Sequence, residues 1–135
     1  MTELSTRTFV KKGVPALPYK KITDLALAGW NISLVFVGRT RATTLNKRLR
    51  RKTYAPNVLS YQTGKKSGEI IICPDVAKTQ HARYDMTYQQ FIAYLFIHGC
   101  MHLKGYPHGT TMEKRERGIL SRVTHLHEKK NSNRN

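Results

Sequence analysis

Phe91-Ile92-Ala93-Tyr94-Leu95-Phe96-Ile97 leads without a charge into His98-Gly99-Cys100-Met101-His102-Leu103-Lys104-Gly105-Tyr106-Pro107-His108, and the reading of this stretch decides the fold. Its apolar half covers most of a helix's circumference, which predicts a helix over Met86 to Lys104 that is central and buried. His98 and His102 are four residues apart, so on that helix they lie about 40° from each other on one face. Gly105 offers a helix stop, and Tyr106-Pro107 makes a stiff turn able to bring His108 back toward the other two. Three neutral imidazoles meeting at one point, with a coordination position left open, is how a catalytic zinc site is built.

The ordinary alternative is three unconnected histidines near a helix end. It weakens for the triplet, because a buried imidazole is costly unless its nitrogens are satisfied. A structural zinc is a further alternative, but such sites close with four protein ligands, usually including cysteines. Cys100 lies two residues from each helical histidine, about 200° round the helix, so it points away and reads as a core residue. The zincin signature H-E-x-x-H needs Glu after the first histidine as general base, and here that position is Gly99. Peptide hydrolysis by that route loses its base, which argues against a metalloprotease. A small residue there lets something pack close to the helix.

Outside this stretch the dominant feature is charge. Twenty-four Lys and Arg stand against eight Asp and Glu, a formal +16, with a pI near 10.3. Such a chain seeks polyanions, and the scatter of its basic residues favours nucleic acid over a membrane surface. Cys73 and Cys100 cannot make a disulfide framework and suggest a reducing compartment. Residues 1–12 have no apolar segment of signal-peptide length, and no run approaches a membrane span. A cytoplasmic protein is expected.

The rest of the chain reads as interleaved strands and helices. A weak first strand is expected at 6–12, an amphipathic helix at 18–30, and the clearest strand at Ile32 to Val37. Ala42 to Arg51 returns to helix, with six basic residues between Arg41 and Lys52. Val58 to Gln62 and Glu69 to Cys73 read as two strands of a hairpin, and 75–85 is undecided. Thr110 or Thr111 can cap a last helix reaching about Glu128, with Glu113 in its first turn and a polar, unstructured tail at 129–135. The expectation is one α+β domain over 1–128, built in α/β layers. A small mixed four-stranded sheet packs against the central helix and flanking helices. Strand order is not readable.

The histidine stretch, His-Gly-x-x-His-Leu-x-Gly-Tyr-x-His, resembles the motif of the YbeY family, metal-dependent endoribonucleases that mature ribosomal RNA. Upstream, Leu45-Asn46, Arg50, Lys52 and Asn57-Val58-Leu59-Ser60-Tyr61 are similar to a second family stretch, and Gly68-Glu69-Ile70-Ile71-Ile72 to a third. Together they cover roughly residues 32 to 120, in family order. The resemblance implies one zinc ion on His98, His102 and His108, with these histidines and Arg50 as the catalytic set. It implies single-stranded and ribosomal RNA as partners, small-subunit ribosomal proteins as further ones, and no membrane. The activity implied is small-subunit 3′-end maturation and ribosome quality control. Arg48, Arg50, Arg51, Lys52 and Lys104 are the candidate RNA contacts, and Glu69 and Glu116 the sparse acidic candidates for moving a proton.

Pro107 stands where the motif usually has Asp, removing a carboxylate able to orient an imidazole or move a proton. Zinc binding needs only the three imidazoles. The reaction implied is attack on a phosphodiester by water or by a ribose 2′-hydroxyl, with Arg50 clamping the phosphate. The competing reading is a basic RNA-binding or ribosome-assembly factor with a structural or vestigial zinc.

Overall fold

The computed structural model describes the backbone of residues 1–132 and the surroundings of side chains through Val123. Four strands, β1 (Glu3–Thr8), β2 (Asn31–Phe36), β3 (Val58–Gly64) and β4 (Ser67–Ile72), form one sheet in the order β1-β2-β4-β3. β1, β2 and β4 run parallel, and β3 pairs antiparallel with β4 through the expected hairpin. The helices are α1 (Tyr19–Ala26), α2 (Arg39–Arg50), α3 (Pro74–Gln80), α4 (Tyr88–Lys104) and α5 (Thr110–Ser132). A 3-10 turn at His81–Tyr84 joins α3 to α4. The α+β class and the mixed four-stranded sheet are as expected.

Alternation along the strands divides the core between two faces. Ile32, Leu34, Phe36, Ile70 and Ile72 join α1, α4 and α5 in the larger cluster. Val35, Val37, Leu59, Ile71 and Cys73 meet Ala42 of α2 and Val76 of α3 on the other side. The central helix is α4: Phe91, Ile92, Phe96, Ile97, Cys100 and Met101 are wholly buried. At about 1.5–3 kcal/mol for each large apolar side chain removed from water, this helix is the main contributor to the larger core.

Both ends of α4 are set locally. At its start, Thr87 Oγ1 accepts from Gln90 N–H at 3.1 Å while Thr87 N–H donates to Gln90 Oε1 at 3.0 Å, a capping box. At its end Gly105 takes φ 95°, its N–H donating to His102 O and that of Tyr106 to Met101 O. That is the Schellman pattern, and the left-handed residue it needs is most readily glycine. Gly99 has its own reason. A Cβ there would stand 3.0 Å from Ile70 Cγ2, so its absence lets α4 settle against β4, as the sequence suggested.

The first strand lies three residues earlier than expected. It is an almost wholly exposed edge strand, so little apolar alternation marked it. The 75–85 stretch resolves into α3, led by Pro74 at a position helices tolerate, and the 3-10 turn. α5 begins at Thr110, its first turn closed by Glu113 N–H donating to Gly109 O. The expected tail at 129–135 begins inside this helix, and its last three residues lie outside the described ones. Among the described residues, no helix is long and apolar enough to cross a membrane.

Candidate active site

A cleft of about 480 Å³ opens where the edge strand β3, the C-terminal end of α2 and the outer face of α4 meet. His98, His102 and His108 line it together with Arg50. The two helical histidines lie on one face of α4, and the turn after Gly105 brings His108 to the same cleft. The His98 and His108 ring centroids are 5.5 Å apart, and those of His102 and His108 6.2 Å. Among the described residues, no three His, Cys, Asp or Glu side chains meet as a ready-made metal cage. His108 is carried on an exposed turn.

The donor chemistry nonetheless suits a borderline-soft cation such as zinc. Glu116 of α5 is buried, and its Oε2 accepts from His98 Nδ1 at 2.6 Å. In the neutral ring that contact puts the proton on Nδ1 and leaves Nε2 with its lone pair, the arrangement metal-ligating histidines use. Ser60 Oγ of β3 stands 3.0 Å from His102 Nδ1, at the matching ring position. Burial, then the neighbouring His108, His98 and Arg50, hold the His102 imidazole below its ordinary range, favouring the neutral, ligand-competent form.

Of the five candidate RNA contacts, Arg50 alone lines the cleft; Arg48, Arg51, Lys52 and Lys104 are exposed outside it. Arg50 ends α2, whose chain then turns through Arg51 in the left-handed region. Asn46 steadies that turn by donating from Nδ2 to Tyr54 O at 2.9 Å. Asn57, also in the cleft wall, donates from Nδ2 to Gln80 Oε1 at 2.8 Å, tying β3 to α3. Cys100 is buried in the core, away from the histidines, and Cys73 is buried in the smaller cluster.

The two acids part company. Glu69 accepts from the Tyr61 hydroxyl at 2.7 Å, and burial followed by this carboxylate pushes that hydroxyl up to about 12. Glu69 is a cross-strand brace outside the cleft lining. Glu116 is the one in contact with the histidines. The signal was present in the sequence: Met112, Glu116, Ile119 and Val123 follow helical spacing, and all four are buried. An acid inside an apolar stripe needs a partner, and His98 is that partner. The sequence reading also missed Ser60 as a partner of His102 and the aromatic wall of the cleft formed by Tyr84, Phe91 and Tyr94.

Known proteins resemble this chain over most of its length. The family model described as Endoribonuclease YbeY matches residues 4–125. A relative from Bdellovibrio bacteriovorus, named Endoribonuclease YbeY, is 36% identical over 107 residues, covering 78% of this chain and 71% of its own. One of that name from Alkaliphilus metalliredigens is 30% identical over 122 residues, covering 76% and 79%. Another, from Neisseria meningitidis serogroup B, is 37% identical over 89 residues, covering 58% and 53%. A solution structure of a Thermotoga maritima protein superposes with a TM-score of 0.68 at 17% identity, covering 96% of this chain and 93% of that one. This last likeness concerns the fold.

Proposed function

The chain belongs to the YbeY family of endoribonucleases, and on that premise we propose that it cuts single-stranded RNA with a zinc ion held by His98, His102 and His108. The biological substrate in this reading is ribosomal RNA, at the maturing 3′ end of the small subunit and in ribosome quality control. Small-subunit proteins then act as neighbours on the substrate. The compartment is the cytoplasm. The observation that carries the reading is the sharing of one cleft by the three histidines and Arg50, with Glu116 braced on His98.

Each residue has a separable task. Arg50 offers a planar guanidinium that donates two hydrogen bonds to a phosphate and balances the charge that grows on it during cleavage. Glu116 holds His98 Nδ1–H, which orients the ring. Ser60 does the corresponding work for His102. Partial desolvation and the neighbouring His108, His98 and Arg50 favour the neutral His102 ring, whose lone pair is then available to a metal. When bound, zinc supplies positive charge and Lewis acidity beside the scissile phosphate. The other Lys and Arg hold the sugar-phosphate backbone without reading sequence.

The test offers the zinc-loaded protein a single-stranded RNA and the same sequence as a duplex. Cutting is expected in the single strand, and affinity is expected to fall about 10³–10⁵-fold between 50 and 200 mM salt if six to ten phosphates are engaged. Tight, salt-sensitive binding with the strand left whole would make the chain an assembly factor instead. A flat salt response would remove RNA from the reading.

A further inference from the structure

The cleft has a second wall that the histidines and Arg50 do not explain. Tyr84 of the 3-10 turn and Phe91 and Tyr94 of α4 line it. The Tyr84 ring lies 4.8 Å from Phe91 at 31° and 6.3 Å from Tyr94 at 36°, and Tyr94 lies 5.9 Å from His98. Phe91 is fully buried, which the core accounts for. Tyr84 is 50% exposed, although it packs on that core. Its ring lies tilted against Phe91, and its exposed part lines the cleft.

Its position is held by the backbone. Tyr84 closes the 3-10 turn, and Asp85 follows it at φ 56°, in the left-handed region. Asp85 N–H donates to Ala82 O and Met86 N–H to His81 O. His81 Nδ1 adds a contact to Met86 O at 2.8 Å. An exposed aromatic held rigidly above a core ring costs little entropy to use as a platform, because its orientation is set before any ligand arrives. Aromatic faces beside a basic groove are how proteins hold unpaired bases, whereas a duplex keeps its bases stacked inside.

We propose that Tyr84 is a nucleobase-stacking subsite: the RNA strand whose phosphate meets Arg50 and the histidines lays a neighbouring base on the exposed part of this ring. The inference rests on the RNA reading above and deepens it. It supplies a contact that prefers an unpaired strand, where Arg50 and the other basic residues contact only phosphate. The Tyr84 to Tyr94 to His98 sequence of rings places the Tyr84 ring two ring-steps from the first histidine.

The test measures kcat and KM of the full-length, zinc-loaded protein on a single-stranded RNA. Abasic residues are placed one at a time across the strand, in wild type, Tyr84→Leu and Tyr84→Phe. Leucine keeps hydrocarbon over Phe91 but has no π-face, and a thermal melt on each variant establishes that the fold is retained. In wild type, one abasic position near the cut is expected to raise KM about 5- to 150-fold, the worth of one base–aromatic stack. Tyr84→Leu is expected to show that rise with intact RNA, to gain nothing further from the abasic position, and to keep its kcat. Tyr84→Phe is expected to follow wild type. A Tyr84→Leu protein with wild-type KM, or one in which the two losses multiply independently, overturns the subsite and leaves the RNA reading standing. Wild-type protein that neither binds nor cuts any of these strands overturns both.

Discussion

The two faces of α4 are built by different rules. Toward the sheet, Phe96 and Cys100 are sealed in the core, Gly99 lies against Ile70, and Leu103 fills the space that a Cβ on Gly68 would need. Toward the cleft, Tyr94, His98 and His102 keep partial exposure and are held by single contacts, Glu116 on His98 and Ser60 on His102. The first face is fixed by shape, where a few tenths of an ångström matter. The second is fixed by hydrogen-bond direction, which sets a ring's tautomer and orientation without filling space. One helix is therefore the keystone and, in the proposed reading, the ligand arm as well. Damage to its two faces separates into stability and chemistry.

The largest separation is expected from Phe96→Ala. Truncating a wholly buried ring leaves a cavity and costs about 3–5 kcal/mol, read by chemical denaturation of the metal-free protein. A loss below about 1 kcal/mol would mean that this face is not the keystone. Next comes Gly99→Val, which drives methyl groups into Ile70 and is expected to cost about 1–3 kcal/mol by overpacking. The shape rule fails if valine is neutral. On the cleft side, Glu116→Gln is expected to weaken zinc binding about ten- to a hundredfold by competitive titration, the usual cost of losing a ligand's outer hydrogen-bond partner. Unchanged affinity would show that the 2.6 Å contact does not serve the site. The smallest effect is that of His102→Ala on the stability of the metal-free protein. Because His102 is exposed, the change is expected within about 0.5 kcal/mol, although it removes a proposed ligand. A large loss would make His102 a structural residue.

Much of this contrast was legible in the sequence, for identifiable reasons. The apolar run over Phe91 to Ile97 and the four-residue histidine spacing are local patterns, and helical geometry converts them directly into one buried and one converging face. β2 and the hairpin announced themselves through β-branched alternation and glycine. Strand order did not, because the insertion of β4 between β2 and β3 is decided by which edges meet in three dimensions. β1 was misplaced by three residues because its side chains are nearly all exposed, so neither face left a mark. In the site, His98, His102, His108 and Arg50 could be named by spacing and by family resemblance. The partners that orient them could not. Glu116 reaches His98 only because α5 packs on α4, and Ser60 reaches His102 only because β3 is the edge strand beside that helix. Tyr84 lies in the one stretch with no readable period, and the fold gives it a role by placing it over Phe91.

The central claim is that the cleft face of α4 is a metal-dependent RNA-cutting centre. Its most direct test is the cleavage of an end-labelled single-stranded RNA by three preparations at equal concentration: zinc-loaded wild type, chelator-stripped wild type, and His102→Ala given zinc. The account predicts cutting by the first alone, restored in the second when zinc is returned. Equal cutting by wild type and His102→Ala, or a strand bound by zinc-loaded wild type and left intact, would contradict it.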